Sequence, residues 1–502
     1  MAPSHRQGGD RLSALPDNAL QHVLSHLMSD EAVRTSALSR RWHRVHEAVP
    51  VVNLVDTKSG DRYGPSLSDL KVCFDHQVTS AIMGKSAATP IRTFHVTARH
   101  PPYELLDQWI VTAVNSGVED LDVNLSYYDD SMNTLCPSIR CPYTGQRNSA
   151  DFNKDERNRY TKTHPHIFGC RTLRRLSLTN WTLDLPGTVV MASLETLCLG
   201  RIMDPRGELH RLISSCPCLV NLTLEECPTI TEIAVTSTRL RTFTMICCHN
   251  ATSVKLHSAC VQLLRYKGDL PPRGSSFITV ANPATVKAVG IEICENLSSK
   301  GPRDFDAVTR LISQCAKLAY LHLSLRPSMA YYSSMFTSVL RDLGSLTHLS
   351  LRGCLPTDHA VRSVSALLVN AKNLQVLSLF PLDPEPPKKK MTRGFYGHDN
   401  SESDSDTEPE AVTVDEAVKY SNRMPQSLWR AYARCLEYNL TRINIDNYQG
   451  RPLEKMLARF LLSRAAALEE FSATLAARLQ KDETAKELIS WRWNRHTRVT
   501  CN

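Results

Sequence analysis

Residues 173–199 read LRRLSLTNWTLDLPGTVVMASLETLCL. Two copies of one pattern, L-x-x-L-x-L, stand at Leu173/Leu176/Leu178 and Leu194/Leu197/Leu199, a step of 21 residues. The pattern returns at Leu219/Leu222/Leu224 and Leu240/Phe243/Met245, with steps of 25 and 21. A second run at Leu318/Leu321/Leu323, Leu346/Leu349/Leu351 and Leu374/Leu377/Leu379 keeps a step of 28. Weaker copies begin at Ile91, Val118 and Val286, and another strand-like copy spans Leu440, Ile443 and Ile445. The alternation x-L-x-L sends one row of side chains inward and the other outward along a strand.

A step of 20–29 residues with this spacing is the leucine-rich-repeat period. One repeat cannot bury its own apolar face, so stability comes from stacking neighbours. The fold class expected is α/β: a solenoid with a curved parallel sheet and helices on its convex side. Stretches such as Glu208–Ile213 and Ala307–Ile312 suit those helices. The outward row lines the concave face. Arg175, Thr196, Asn221, Thr242, Thr347 and Gln375 are its candidate substrate-binding residues.

The flanks follow other rules. Residues 1–10 are polar and expected to be disordered, with no secretory signal. In residues 11–50, Pro16 suits a helix start. Leu20, Val23, Leu24 and Leu27 then fall at i, i+3, i+4 and i+7 on one helical stripe. About forty residues make a marginal core, which predicts that a partner covers part of it. Residues 51–382 hold the solenoid. Residues 383–420 combine prolines, Lys388-Lys389-Lys390 and an acidic serine tract. That composition cannot build a core and is expected to be a disordered insert. Ser401, Ser403 and Ser405 each precede an acid by three residues, a pattern that suits an acidophilic kinase, and the lysines suit either nuclear import or a solvated linker. Residues 424–502 return to strand and helix, and residues 126–166 match no motif.

The N-terminal segment resembles the plant F-box. The resemblance is carried by Leu15-Pro16-Asp17, the Leu20/Val23/Leu24/Leu27 stripe, and Val33-Arg34-Thr35-Ser36 followed by Leu38-Ser39-Arg40-Arg41-Trp42. It departs from many relatives at His46 and its neighbours, where a second tryptophan is common. Residues 443–471, with Leu453, Met456, Leu457, Phe460 and Leu461 on one helical face, resemble the FBD region that follows the repeats in many plant F-box proteins. The resemblance implies a substrate-recognition subunit of a Skp–cullin–F-box ubiquitin ligase. Leu15, Pro16, Leu20, Val23, Leu24 and Leu27 would dock a Skp-type adaptor, and through it a cullin. The repeats would hold an unknown protein substrate. The alternative is a scaffold or ligand-sensing repeat protein outside any ligase.

Composition narrows the other classes. Hydrophobic residues at 42% and charged residues at 22% suit a globular chain. No apolar run reaches the ~20 residues of a membrane helix, so no membrane partner is expected. A net charge of +8 without a basic stripe interleaved with aromatics gives no expectation of direct nucleic-acid binding. The expected compartment is the nucleus or cytoplasm, where the 16 cysteines would be reduced. Cys136/Cys141/His164/His166, Cys216/Cys218 and Cys247/Cys248/His249 invite a zinc reading, but no Cys-x-x-Cys step occurs. Cys170, Cys216 and Cys315 each lie three residues before a repeat leucine, and Cys227, Cys248 and Cys354 eight after one. That periodicity suits compact buried thiols, so neither metal nor cofactor is expected. No G-x-S-x-G, Walker A or H-E-x-x-H pattern occurs, and the chain alone is expected to be no enzyme.

Overall fold

The computed structural model describes residues 12–127, 160–382 and 432–502, less short breaks at 13, 57–66, 86–88, 272–273, 275–276, 295–301, 330–331 and 356. The expectations for the N-terminal ten residues, the charged insert with its lysines and serines, and Cys136 and Cys141 lie outside the described residues. The chain packs as two compact units, Met1–Glu295 with Arg303–Cys315, and Asn296–Pro302 with Ala316–Asn502.

The first unit opens on three short helices, α1 (Asp17–Ser25), α2 (Ser29–Arg34) and α3 (Arg40–Glu47). A parallel sheet follows. Its strands are β1 (Val51–Val55), β2 (Thr93–Arg99), β3 (Asp120–Ser126), β4 (Arg175–Thr179), β5 (Thr196–Gly200), β6 (Asn221–Glu225), β8 (Thr242–Ile246), β10 (Leu263–Gly268) and β12 (Ala288–Ile293). The register runs through Val52, Phe94, Leu121, Leu176, Leu197, Leu222, Phe243, Leu264 and Val289 as successive Cα partners. All nine are buried. They form one apolar column, as the alternation requires.

Repeat length decides what backs the sheet. The 27-residue step from Ile91 to Val118 accommodates the helix Tyr103–Asn115. The 21-residue steps from Leu219 to Leu240 and from Leu240 to Val261, where the structure shows a further copy at Val261/Leu264/Tyr266, leave room only for β7 (Glu232–Val235) and β9 (Ser253–Leu256). These pair in parallel, with β11 (Ile278–Val280) joining β9, as a separate three-stranded sheet. Helices back the longer repeats, and a second layer of short strands backs the shorter ones. A helix rises 1.5 Å per residue and a strand about 3.3 Å, so a short connection spans the repeat only when extended.

The second unit repeats the scheme with β13 (Tyr320–Ser328), β14 (His348–Cys354), β15 (Val376–Pro381), β16 (Arg442–Tyr448), β17 (Glu470–Leu475) and β18 (Arg498–Cys501), all parallel. Its column is Leu321, Leu349, Leu377, Ile443 and Phe471, each buried. The 28-residue steps carry helices of 11–13 residues, Tyr332–Asp342, Asp358–Asn370 and Pro452–Arg464.

Two of the periodic cysteines, and Cys435 outside that series, behave as buried hydrophobes that satisfy backbone. Cys216 Sγ donates to the Leu212 carbonyl (3.1 Å), Cys315 Sγ to Leu311 (3.3 Å) and Cys435 Sγ to Leu368 (3.1 Å). Burial pushes the Cys216 thiol up to about 12 and that of Cys315 to about 11, which leaves both unreactive.

Truncating the column should be costly and truncating the outer row cheap. Leu222→Ala and Leu349→Ala should each lose about 2–5 kcal/mol. Thr223→Ala and His348→Ala, on half-buried outward positions, should stay within about 0.5 kcal/mol. Denaturant unfolding of the four variants checks the phase of the strands.

Candidate functional site

The N-terminal helices enclose a small core of their own. Leu20, Leu24, Ala32, Trp42, Val45 and Val49 are buried together, with Leu15, Leu27 and Val51 packed against them. Two motifs that are 24 residues apart meet here. Arg41 Nε and one terminal nitrogen contact Asp17 Oδ1 at 2.8 and 2.7 Å, and Arg41 also donates to the Leu15 carbonyl. The Leu15-Pro16-Asp17 and Arg40-Arg41-Trp42 motifs are thus two halves of one clamp. Ser39 Oγ accepts from the Trp42 amide and caps α3. His46 is buried, and burial, followed by Lys85 and His43, lowers its pKa.

The docking stripe read from the sequence is therefore split. Leu20 and Leu24 are buried within the chain itself, where they fill the core together with Trp42, Val45 and Val49. Leu15 and Leu27 are half-buried against the same core. Only Pro16 and Val23 of the six face outward, Val23 at 43% exposure. The structure adds Val33 (43% exposed) and Leu38 (66% exposed), on α2 and the 3-10 turn Thr35–Leu38. Next to Leu38 lies an open cleft lined by Ser36, Ala37, Ser39, Arg40, His43 and Arg44. Val33 and Leu38 were in the quoted motif, but no helical period marks them.

These helices are also joined to the repeats. Ser29 Oγ accepts from the Asn53 amide at 2.7 Å, and Val51 of β1 enters the helical core.

The outward face is polar and laterally hydrogen-bonded. Arg175, Thr196, Asn221 and Thr242 are successive Cα partners on β4, β5, β6 and β8. Asn221 Nδ2 donates to Thr196 Oγ1 (3.1 Å). Asp120 lies between His95 Nε2 (3.1 Å) and Arg175 Nε (3.6 Å). Burial pushes the neighbouring Asp122 carboxyl up, against the opposing pull of a hydrogen bond from Ser177 and the charges of His95 and Arg175. In the second unit the same position is held by Tyr320, His348 and Val376. Thr347 and Gln375 stand one residue earlier, before their strands. Their carbonyls each accept two amides of the following repeat, Thr347 from Gln375 and Val376, Gln375 from Thr441 and Arg442. The position just before the inward leucine is therefore held by His348 and Val376, not by Thr347 and Gln375 as expected. The second outward row there is a chain of hydrogen bonds: Asn444 Nδ2 donates to Ser378 Oγ (3.3 Å) and Ser472 Oγ to Asn444 Oδ1 (2.7 Å).

Comparison with known proteins follows this division. Residues 12–45 match the F-box domain, and residues 106–291 match the repeats of the family described as "FBD-associated F-box protein At5g56370, LRR repeats". The F-box/FBD/LRR-repeat protein At5g56420 of Arabidopsis thaliana is 24% identical over 96% of both chains. F-box/LRR-repeat protein 13 of the same plant is 28% identical over 58% of each. FBD-associated F-box protein At5g38590 is 27% identical over 43% of this chain and 44% of its own length. In three further relatives the shared stretch spans 42%, 37% and 43% of their length, less than half.

The core assignment makes a direct prediction. Leu20→Ala and Leu24→Ala should each remove about 2–5 kcal/mol from the helical core, while Val23→Ala should cost well under that. Hydrogen exchange at the amides of α1–α3 reads the difference. With the F-box and repeat matches in sequence order, and with relatives at 24–25% identity aligned over nearly the whole chain, this protein resembles the plant F-box/FBD/leucine-rich-repeat family.

Proposed function

We propose that this chain is the substrate-recognition subunit of a Skp–cullin–F-box ubiquitin ligase, acting in the nucleus or cytoplasm. F-box domains as a class bind Skp-type adaptors, and leucine-rich repeats bind substrates. The observation that carries the reading is the F-box surface. Its own core is closed, yet Pro16, Val23, Val33 and Leu38 remain exposed, and a cleft lined in part by Arg40 and Arg44 opens next to Leu38. Such a surface suits a partner with apolar side chains and an acidic rim. The outward rows of the repeats offer polar and charged groups for selecting a substrate. Among the described residues no helix is long and apolar enough to cross a membrane. The family is generally of the adaptor type, so ubiquitin transfer would rest on proximity: the assembly holds a charged enzyme near the substrate and raises its effective concentration.

The test uses the full chain. Val33→Asp with Leu38→Asp should abolish co-purification of the adaptor and cullin while leaving the melting temperature unchanged, since both side chains are exposed. Burying two carboxylates at an apolar interface costs several kcal/mol. Unchanged co-purification would reject docking through this surface. Wild-type chain that captures no adaptor would favour the scaffold alternative.

The same variant separates docking from selection. Expressed in excess, it should still bind substrate and lengthen its half-life by competition. Faster turnover in cells carrying the variant would show that the two tasks are not divided between F-box and repeats.

A further inference from the structure

The turns after β8, β10 and β12 bring Cys247, His249, Asp269 and Cys294 together. The Cys247 amide donates to the Lys267 carbonyl (2.6 Å) and the Cys294 amide to the Gly268 carbonyl (2.8 Å). The intervening turn is therefore gripped from both sides. The two thiols meet across it, Sγ to Sγ 3.9 Å, at 1% and 5% exposure. The turn itself is fixed. A Cβ on Gly268 would lie 2.5 Å from Tyr266 Oη, and that hydroxyl donates to the Asp269 carbonyl (2.5 Å). His249 completes the group. Its Nδ1 stands 2.9 Å from Asp269 Oδ2, and one donor atom from each of Cys247, His249 and Cys294 lies within 4.8 Å of the others.

These distances fit a metal better than a disulfide. Two thiolates bound tetrahedrally at about 2.3 Å from zinc stand roughly 3.8 Å apart. A disulfide needs about 2.05 Å, so the sulfurs would have to move together by nearly 2 Å. A histidine whose Nδ1 is held by a carboxylate presents Nε2 as a ligand, the usual outer-shell arrangement at zinc. Two thiols and an imidazole select a thiophilic ion over calcium or magnesium.

We propose that Cys247, His249 and Cys294 bind one zinc-type divalent ion, with Asp269 orienting the imidazole. The ligands come from the turns after β8 and β12, and the orienting carboxylate from the turn between them, so the ion clips three successive repeats. The His249 ring closes on the sulfurs by about 1 Å to reach bonding geometry. A tetrahedral ion takes a fourth ligand besides these three. Both thiols lose their protons on binding, so affinity falls as pH drops. The sequence expectation of no metal stands on the lack of a Cys-x-x-Cys step and on cysteines that follow the repeat; here the repeat itself sets the spacing between ligands, and Cys247 and Cys294 fall outside the periodic set.

The experiment uses the reduced full chain, stripped with chelator, reloaded with zinc or cobalt and desalted. Wild type and the exposed-thiol control Cys260→Ser should each retain one equivalent of zinc by mass spectrometry. With cobalt they should show thiolate charge-transfer and tetrahedral d–d bands. Cys294→Ser and His249→Gln should lose both signals. Asp269→Asn should keep the cobalt bands but bind about 10–100-fold more weakly. Zinc should raise the melting temperature of wild type and leave that of Cys294→Ser unchanged; circular dichroism of the stripped chains keeps folding separate from binding. Wild type that retains no zinc overturns the proposal, as do site variants that retain as much as wild type. A Cys247–Cys294 disulfide in freshly purified protein also overturns it.

Discussion

One backbone interaction recurs at the start of almost every strand. The carbonyl of the residue before a strand accepts two successive amides from the next repeat. Arg174 receives Glu195 and Thr196, Glu195 receives Val220 and Asn221, Val220 receives Arg241 and Thr242, and Arg241 receives Gln262 and Leu263. In the second unit Ala319, Thr347, Gln375 and Thr441 do the same. A shift of one residue would turn each apolar column to solvent. The forked bond holds the register at the entry to each strand, and everything on the two faces follows from it.

That constraint separates what the sequence makes legible from what it hides. Inward positions announce themselves: Leu176, Leu197, Leu222, Leu349 and Leu377 are chemically alike and hold the same place in each L-x-x-L-x-L copy. Outward positions carry no such mark. Thr347 and Gln375 are polar residues beside leucines, and only the register puts His348 and Val376 in the row instead. The F-box fails for a related reason. Periodicity says that Leu20 and Leu24 are covered, but does not say by what; in a forty-residue unit Trp42 and Val45 cover them. Arg41 and Asp17 could not be paired from spacing alone, because the clamp closes through tertiary structure. The short strands β7 and β9 were within reach, since 21-residue steps cannot hold three helical turns in addition to a strand and its two bends.

The residue just past a strand is another recurring position with variable chemistry. Asn180, Arg201, Glu226 and Cys247 all adopt positive φ, between 49° and 64°. Each donates its amide to a carbonyl of the next turn, as Asn180 does to Gly200 and Glu226 to Ile246. Since the backbone bond forms with any side chain, the identity of the side chain is left to local chemistry. Glu226, fully buried, meets Arg201 Nε at 2.7 Å. One turn later the same position supplies a thiol. Structural strain at these sites, where non-glycine residues sit in a sparsely populated region, is held in place by neighbours on both sides.

The pairing of β15 with β16 is a seam of a different kind. Val376 and Arg442 are Cα partners although 66 positions separate them, against 28 for His348 and Val376. Thr441 still donates to Gln375, as it would across an ordinary repeat. Closing the longer connection costs only about 0.8 kcal/mol more, because the penalty grows with the logarithm of length. On chain entropy alone, the added sequence between these two strands therefore weighs little against the register that the forked bond restores on its far side.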